Sequence, residues 1–179
     1  MNDSNNPHAT AITPEVDSKL IREFSMSSPI TIGKYLHTMQ EEENEVYIYF
    51  NEGQQSFVTE ILGMDLSNGQ VWLGRPYDKN LLGGLNEHTE FVAVAFPENI
   101  KLQFNCRGIV QSTYEGGQAL RIDVPKSMVR LQRRNYFRVM ADEEMMAHLH
   151  IEDEGIQGDY ELVDISLAGC GMSVPGRQH

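Results

Sequence analysis

The chain is poor in cysteine and in long apolar runs. Its 179 residues include two cysteines, Cys106 and Cys170, too few for a disulfide framework, and we expect both to be small buried residues without a redox role. No apolar run approaches the ~20 residues that a membrane-spanning helix needs. Residues 1–11 lack the basic start and apolar stretch of a signal peptide. We therefore expect a cytoplasmic protein without membrane insertion.

Basic residues are also scarce. The sequence has 14 Lys and Arg against 26 Asp and Glu, which gives a formal net charge of −12. Binding to a phosphate backbone needs an excess of cations on the contact face, so this charge counts against a DNA or RNA partner. Apolar residues make up 40% of the chain, enough for a hydrophobic core and too many for wholesale disorder.

Two helices are predicted near the beginning of the chain. One covers residues 15–24, where apolar residues recur every four positions. The other covers residues 29–40, because Ser28 before Pro29 is typical of an N-cap followed by proline at the first helical position. Three glutamates follow at 41–43, where the helix dipole disfavours negative charge, so we expect the second helix to end there.

From residue 46 the apolar period changes to two, which predicts β-strands. The predicted strands cover residues 46–50, 57–64, 70–73, 91–96, 100–112 and 118–124. Between the second and third, Asn68-Gly69 supplies the positive φ angles of a two-residue hairpin turn. Six short strands behind one or two short helices predict a mainly β fold, a small antiparallel split barrel.

The remaining chain predicts the first strands of a second antiparallel barrel. Strands are predicted over 136–152 and 160–165, with a turn at 155–158. At ~5–6 residues per strand, residues 139–179 provide three or four strands, too few to close a barrel. The predicted domains are a flexible tail over 1–14, a β domain over 15–125, a basic linker over 126–138 and an incomplete second domain over 136–179.

The predicted linker concentrates positive charge. It contains five basic residues and no acidic one: Lys126, Arg130, Arg133, Arg134 and Arg138. Like charges placed together repel one another unless an anion is near. One interpretation is a linker whose arginines pair with surface carboxylates. The other is a site for a compact ligand with phosphates and an aromatic base, because guanidinium groups suit phosphate, guanine edges and aromatic faces.

A second polar motif lies downstream at Asp164, Ser166 and Gly169. On a strand, residues 164 and 166 point to the same face. A carboxylate can accept from two N–H groups of a guanine edge, with a hydroxyl beside it, and a glycine permits close approach or a positive φ. A strand end with local caps explains the same residues, so this motif alone does not decide between the two interpretations.

Taken together the two motifs are more specific. The pattern Arg134-x-x-x-Arg138, followed 26 residues later by Asp164-x-Ser166-x-x-Gly169, resembles the signature of the PilZ domain, the bacterial receptor for cyclic di-GMP. The sequence of the first segment, Gln-Arg-Arg-Asn-Tyr-Phe-Arg, and the small β domain before it are similar to those of the YcgR family of flagellar brake proteins. The resemblance implies a PilZ-type barrel as the second domain.

The resemblance also implies roles for individual residues. Arg134 and Arg138 would contact phosphates and guanine edges of cyclic di-GMP and stack on its bases. Asp164 and Ser166 would hydrogen-bond a guanine, while the glycine of the second motif would keep the strand end clear. Arg133 would add a guanidinium able to grip an intercalated pair of ligand molecules, which gives a hypothesis of two ligands per protomer.

By the same resemblance the protein is a receptor and not an enzyme, with cyclic di-GMP as ligand and no cofactor. Ligand binding would fix the relative orientation of the two domains, and the protein would then dock on the flagellar motor at the stator or the rotor switch complex, near the basal body. PilZ barrels continue well beyond the second motif. We therefore expect this chain alone to bind cyclic di-GMP weakly, or to fold poorly beyond Tyr136.

Several alternatives stay open. The protein could be another PilZ-type effector of cyclic di-GMP that does not act on the motor. One alternative is a metal site at His148, His150 and Glu152, which lie two residues apart on one face of a predicted strand. Small split barrels also bind flavin. Finally, Tyr136 and Phe137 lie among arginines, as in the stacking platforms of single-strand nucleic-acid binders, although the net charge opposes that reading.

Overall fold

We describe the protein from a computed structural model. The described residues are 12–132, 138–141, 148–153 and 156–173. The chain divides into two compact units, residues 1–132 and residues 133–179, and each is described by itself. None of the helices in these described ranges is long and apolar enough to cross a membrane.

Two α-helices lie within residues 18–41 of the first unit, each with a side-chain cap. In α1 (Ser18–Glu23) the Asp17 carboxylate accepts from the backbone N–H groups of Lys19 and Leu20. In α2 (Pro29–Glu41) the Ser28 hydroxyl accepts from the N–H of Thr31. The Ser-Pro cap thus starts α2 where the sequence predicted it, and the helix ends among the glutamates as expected. Its buried face consists of Ile32, Gly33, Leu36 and Met39.

The strands of the first unit form two antiparallel sheets. The six-stranded sheet has the order β1-β10-β7-β6-β2-β3 and the four-stranded sheet the order β4-β5-β9-β8. Their bounds are β1 Ser25–Met26, β2 Val46–Phe50, β3 Gln55–Thr59, β4 Ile61–Asp65, β5 Gln70–Leu73, β6 Glu90–Ala95, β7 Lys101–Arg107, β8 Ile109–Tyr114, β9 Gly117–Asp123 and β10 Met128–Leu131. A short 3₁₀ helix, Lys79–Gly84, lies between β5 and β6.

One hydrophobic cluster joins α2 to both sheets. Leu36 of the helix, Ile48 and Leu102 of the six-stranded sheet, and Val71 and Leu120 of the four-stranded sheet are all fully buried within it. Burying apolar side chains from α2 and from both sheets stabilises their arrangement as one domain. The mainly β, antiparallel fold class predicted from the sequence is confirmed.

Two predicted strands are each two strands in the structure. The predicted strand 57–64 is interrupted at Glu60, so that β3 belongs to the six-stranded sheet and β4 to the four-stranded one. The predicted strand 100–112 is interrupted at Gly108, whose φ of +90° ends β7 and starts β8 in the other sheet. A strand that bends from one sheet into another keeps its alternating pattern, which is why periodicity alone missed both breaks.

Part of the segment predicted as a linker is a strand. In β10 the residues Met128 and Val129 are buried, and the strand pairs with β7 on one side and β1 on the other. Its four residues alternate poorly and carry the basic Arg130, so the charge of the segment hid its strand character. The first unit therefore extends beyond Pro125, where the predicted barrel ended.

The second unit is a small antiparallel sheet around one long strand. Its strands are β11 Val139–Met140, β12 His148–Asp153, β13 Ile156–Ser166 and β14 Gly169–Ser173. Both β12 and β11 pair with β13, along successive parts of one edge, and β14 pairs along the other edge. The single strand predicted over 136–152 is thus at least two strands, with Ala141 outside both.

The two cysteines differ in exposure. Cys106 is partly buried, and desolvation followed by the charge of Asp123 raises the pKa of its thiol to about 12. Cys170 is exposed, so the prediction that both cysteines are buried is wrong for this residue. Its cross-strand partner Ile165 is half exposed on the same face, which shows that this part of the sheet carries no covering layer in the described residues.

Candidate functional site

The first motif is described in the structure only at its second arginine. Arg133 and Arg134 lie outside the described residues, as do Tyr136 and Phe137. Arg138 directly precedes β11, and its side chain is 40% exposed. This exposure leaves the guanidinium accessible to solvent and to a ligand.

The structure joins Arg138 to the second motif by an ion pair. Nη1 of Arg138 donates to both carboxylate oxygens of Asp164, at 3.2 Å from Oδ1 and 3.0 Å from Oδ2. Strand pairing brings the two residues together, because β11 is antiparallel to β13 with Met140 opposite Asp164. The two motifs, 26 residues apart in sequence, therefore meet within the second unit.

The ion pair with Asp164 restricts the orientation of the Arg138 side chain. The Asp164 side chain is only 14% exposed, so its carboxylate is less hydrated and more firmly fixed than a surface one. A guanidinium has five N–H donors in a rigid fork, and the bonds to Asp164 come from Nη1 alone. The Nε and Nη2 donors lie outside this pair, where they can serve an anionic or guanine-bearing ligand.

Ser166 and Gly169 close the hairpin between β13 and β14. The Ser166 hydroxyl donates to the carbonyl of Gly169 at 3.0 Å and accepts from the N–H of Ala168 at 3.3 Å. Gly169 has a φ of +155°, which side-chain-bearing residues rarely adopt, and a Cβ there would meet nothing within 4 Å. Gly169 is thus needed for its backbone conformation, one of the two reasons considered for it from the sequence.

A β-bulge sets the direction of the second motif. Leu162 lies opposite Met172, but Asp164 lies opposite Gly171, so Val163 is an extra residue in β13. Bulges re-aim side chains and are frequent beside functional sites. Here the bulge places Asp164, Ser166 and their partners Gly169 and Gly171 on one face of the hairpin.

Gly171 is a residue of this face that the sequence analysis missed. A Cβ at this position would lie 3.0 Å from Oδ1 of Asp164. The available signal was the second glycine of Gly169-Cys170-Gly171, two residues beyond the motif and therefore on the same face of a strand.

The alternative metal site is not supported by the described residues. His150 faces Asp159 across the β12–β13 pair, with Nδ1 2.6 Å from Oδ1, and both side chains are exposed. The side chains of His148 and Glu152 lie outside the description. Among the described residues no group of three or more His, Cys, Asp and Glu side chains could coordinate a metal ion.

Comparison with known proteins identifies the first unit. Residues 24–130 match the family described as "Flagellar regulator YcgR, PilZN domain". The chain is 28% identical to the flagellar brake protein YcgR of Nitrosospira multiformis over 118 residues, which cover 66% of this chain and 46% of that protein. It is 26% identical to YcgR of Chromobacterium violaceum over 157 residues, covering 87% and 64% respectively. The chain thus spans about half to two thirds of these relatives' length.

A solved structure shares the fold. The crystal structure of YcgR in complex with c-di-GMP from Escherichia coli matches with a TM-score of 0.63 and 17% identity, covering 88% of this chain and 67% of that one. The structure of the YcgR-N domain from the same organism matches 61% of this chain with a TM-score of 0.55 and 13% identity, covering 96% of that chain. Since the family model covers more than half of the sequence, this chain belongs to the PilZN-domain family of the flagellar regulator YcgR, a family of regulators rather than enzymes.

Proposed function

We propose that the protein is a cyclic di-GMP receptor that couples the level of this second messenger to braking of the flagellar motor. The observation that carries the proposal is the Arg138–Asp164 ion pair, which joins the two motifs at one place on the second unit. The proposal is further supported by the similar fold of a YcgR crystallised with c-di-GMP.

The proposed ligand site consists of Arg133, Arg134, Arg138, Asp164, Ser166 and Gly169. The three arginines would bind phosphates and guanine edges, and the Asp164 carboxylate would hold Arg138 while accepting from a guanine. Each charge-assisted hydrogen bond contributes ~1.5–3 kcal/mol. Two or three of them together with one stacked base reach the ~8 kcal/mol that corresponds to micromolar affinity.

Binding would act on the motor through residues 133–138, which begin the second unit. The proposed arginines lie in or beside residues 133–138, directly after the strand that ends the first unit. Folding this segment around a ligand would favour one relative orientation of the units, a population shift driven by differential affinity. The reoriented protein would then dock on the stator or rotor switch complex, which would place it in the cytoplasm at the basal body.

A calorimetric titration of the full chain with cyclic di-GMP tests the proposed site. We expect Asp164→Ala and Arg138→Ala to weaken binding by at least ~10-fold, since each loses one or more charged hydrogen bonds. Matched controls are Asp159→Ala, an exposed carboxylate on the same strand, and Arg107→Ala, an exposed arginine of β7. Absence of saturable binding at high ligand concentration by a wild type whose second unit is folded, or equal losses in the controls, would overturn the proposal.

The same titration measures the stoichiometry. If Arg133 grips an intercalated pair of ligands, the wild type binds two cyclic di-GMP molecules per protomer and Arg133→Ala binds one. A stoichiometry of one for the wild type would reject the two-ligand hypothesis and leave the site itself intact.

Action on the motor needs a separate test, because a receptor could bind cyclic di-GMP and control another process. The family description and the name "flagellar brake protein" of the relatives support the motor. Expression in a flagellated bacterium that lacks its own brake should slow swimming when cyclic di-GMP is raised, and Asp164→Ala should restore the speed. Unchanged swimming with a chain that binds ligand would favour an effector acting elsewhere.

A further inference from the structure

We propose that Gly171 is a positioning residue of the cyclic di-GMP site, where the absence of a side chain allows the Asp164 carboxylate to lie against β14 and to hold Arg138. This inference rests on the proposed function and extends its site to a residue outside both sequence motifs. Gly171 would not touch the ligand; it acts through Asp164.

The register of the hairpin places the glycine opposite the carboxylate. The two-residue turn between Ser166 and Gly169 fixes these two residues as a pair and makes Asp164 the partner of Gly171. On the side of the bulge away from the turn, Leu162 pairs with Met172, which is one residue out of register with the Asp164–Gly171 pair. If the Leu162–Met172 register continued to the turn, Asp164 would face Cys170. Because of the bulge, Asp164 lies opposite Gly171, which has no side chain, and not opposite Cys170.

The bulge itself is held in place from the other edge of β13. The carbonyl of the extra residue Val163 accepts from the N–H of Ala141 at 2.9 Å, directly after β11. This bond ties the bulge to the same strand that begins next to Arg138. The direction of Asp164 is thus fixed by backbone pairing on both edges of β13.

The space at Gly171 is filled by Asp164. A Cβ on residue 171 would lie 3.0 Å from Oδ1, 3.1 Å from Cγ and 3.2 Å from Oδ2. Carbon atoms in contact prefer a separation of about 3.5–4.0 Å, so alanine at this position requires the carboxylate to move by a few tenths of an ångström. The movement would change both bonds to Arg138, which are 3.0 and 3.2 Å long.

Backbone strain does not account for this glycine. Gly169 has a positive φ, but Gly171 is absent from the positive-φ residues among the described part of the chain. Alanine at 171 is therefore compatible with the strand and acts through the contact with Asp164. The glycines at 169 and 171 serve different purposes, one conformational and one steric.

A titration of the full chain with cyclic di-GMP tests the inference. We expect Gly171→Ala to weaken binding about tenfold, the effect of losing one well-placed charged hydrogen bond. The matched control is Gly83→Ala, which also adds a methyl group but into open space, and it should bind like the wild type. Wild-type affinity in Gly171→Ala would overturn the inference alone, whereas a wild type that does not bind would overturn the proposed function.

A spectroscopic measurement separates positioning from general damage. In the ligand-free protein, the ¹³C resonance of the Asp164 carboxyl should shift in Gly171→Ala and stay in place in Gly83→Ala. An unchanged carboxyl resonance in Gly171→Ala would contradict the proposed movement.

A second variant keeps the inference testable if Gly171→Ala folds poorly. Removing the carboxylate frees the space, so Gly171→Ala combined with Asp164→Ala should have a urea midpoint no lower than that of Asp164→Ala alone. A further loss of stability in the double variant would show that the added methyl group clashes with something other than Asp164, and would refute the inference.

Discussion

Replacing Arg138 and Asp164, singly and together, should reveal a coupling free energy of about 1 kcal/mol within the second unit. Fully exposed ion pairs contribute about 0.2–1 kcal/mol, and breaking a buried pair costs about 3–5 kcal/mol. Arg138 is 40% exposed and Asp164 is 14% exposed, so we expect the coupling free energy of this pair to be closer to the value for exposed pairs. We also expect Arg138→Ala to be the more destabilising single change, because it leaves the less exposed charge without its partner.

Amide hydrogen exchange in β13 and β14 measures this coupling locally. A coupling of about 1 kcal/mol corresponds to about fivefold in protection. The single tryptophan, Trp72 in β5, provides an internal control, because its fluorescence reports on the first unit. Additive effects of the two substitutions would show that the ion pair does not form in solution. An equal shift in the Trp72 unfolding midpoint would show that the effect is not confined to the second unit.

Two further predictions concern the hydrogen bonds of Gln103 in the first unit and the reactivity of the two cysteine thiols. Buried Gln103 forms two hydrogen bonds with the backbone of Glu15, so Gln103→Leu should speed hydrogen exchange or proteolysis near residue 15, while Gln111→Leu at an exposed position should not. Because burial raises the pKa of Cys106 to about 12, its thiol stays protonated at pH 8, and only the exposed Cys170 should react rapidly with a thiol reagent. Two rapidly reacting thiols in the native protein would contradict the described burial.

Local signals in the sequence were sufficient where local interactions decide the structure. The Ser28-Pro29 cap fixed the start of α2 because the hydroxyl and the proline act on neighbouring backbone groups. The strand 70–73 was predicted at its observed bounds, since it alternates and follows a clear turn. The resemblance to the PilZ signature predicted a common site for the two motifs, and of its residues the structure brings Arg138 and Asp164 together in an ion pair.

Features that depend on distant pairing could not be predicted. The interruptions at Glu60 and Gly108 depend on which sheet each strand joins, and the alternating pattern continues across them. The strand β10 pairs with β7 and contacts α1, and these neighbours bury it. Its own residues lack the alternating apolar pattern that would predict a strand. The bulge at Val163 follows from the combined register of β13 and β14, which is why the proximity of Gly171 to Asp164 was not visible in the sequence.

A chemical-shift map of the full chain during titration with cyclic di-GMP tests directly whether the two motifs form one ligand site. The amide resonances of residues 138–140 and 164–171 should change together, with the Arg138 guanidinium signals, and saturate at one ligand concentration. Changes confined to residues 12–132, or no saturable change at all, would contradict a common ligand site.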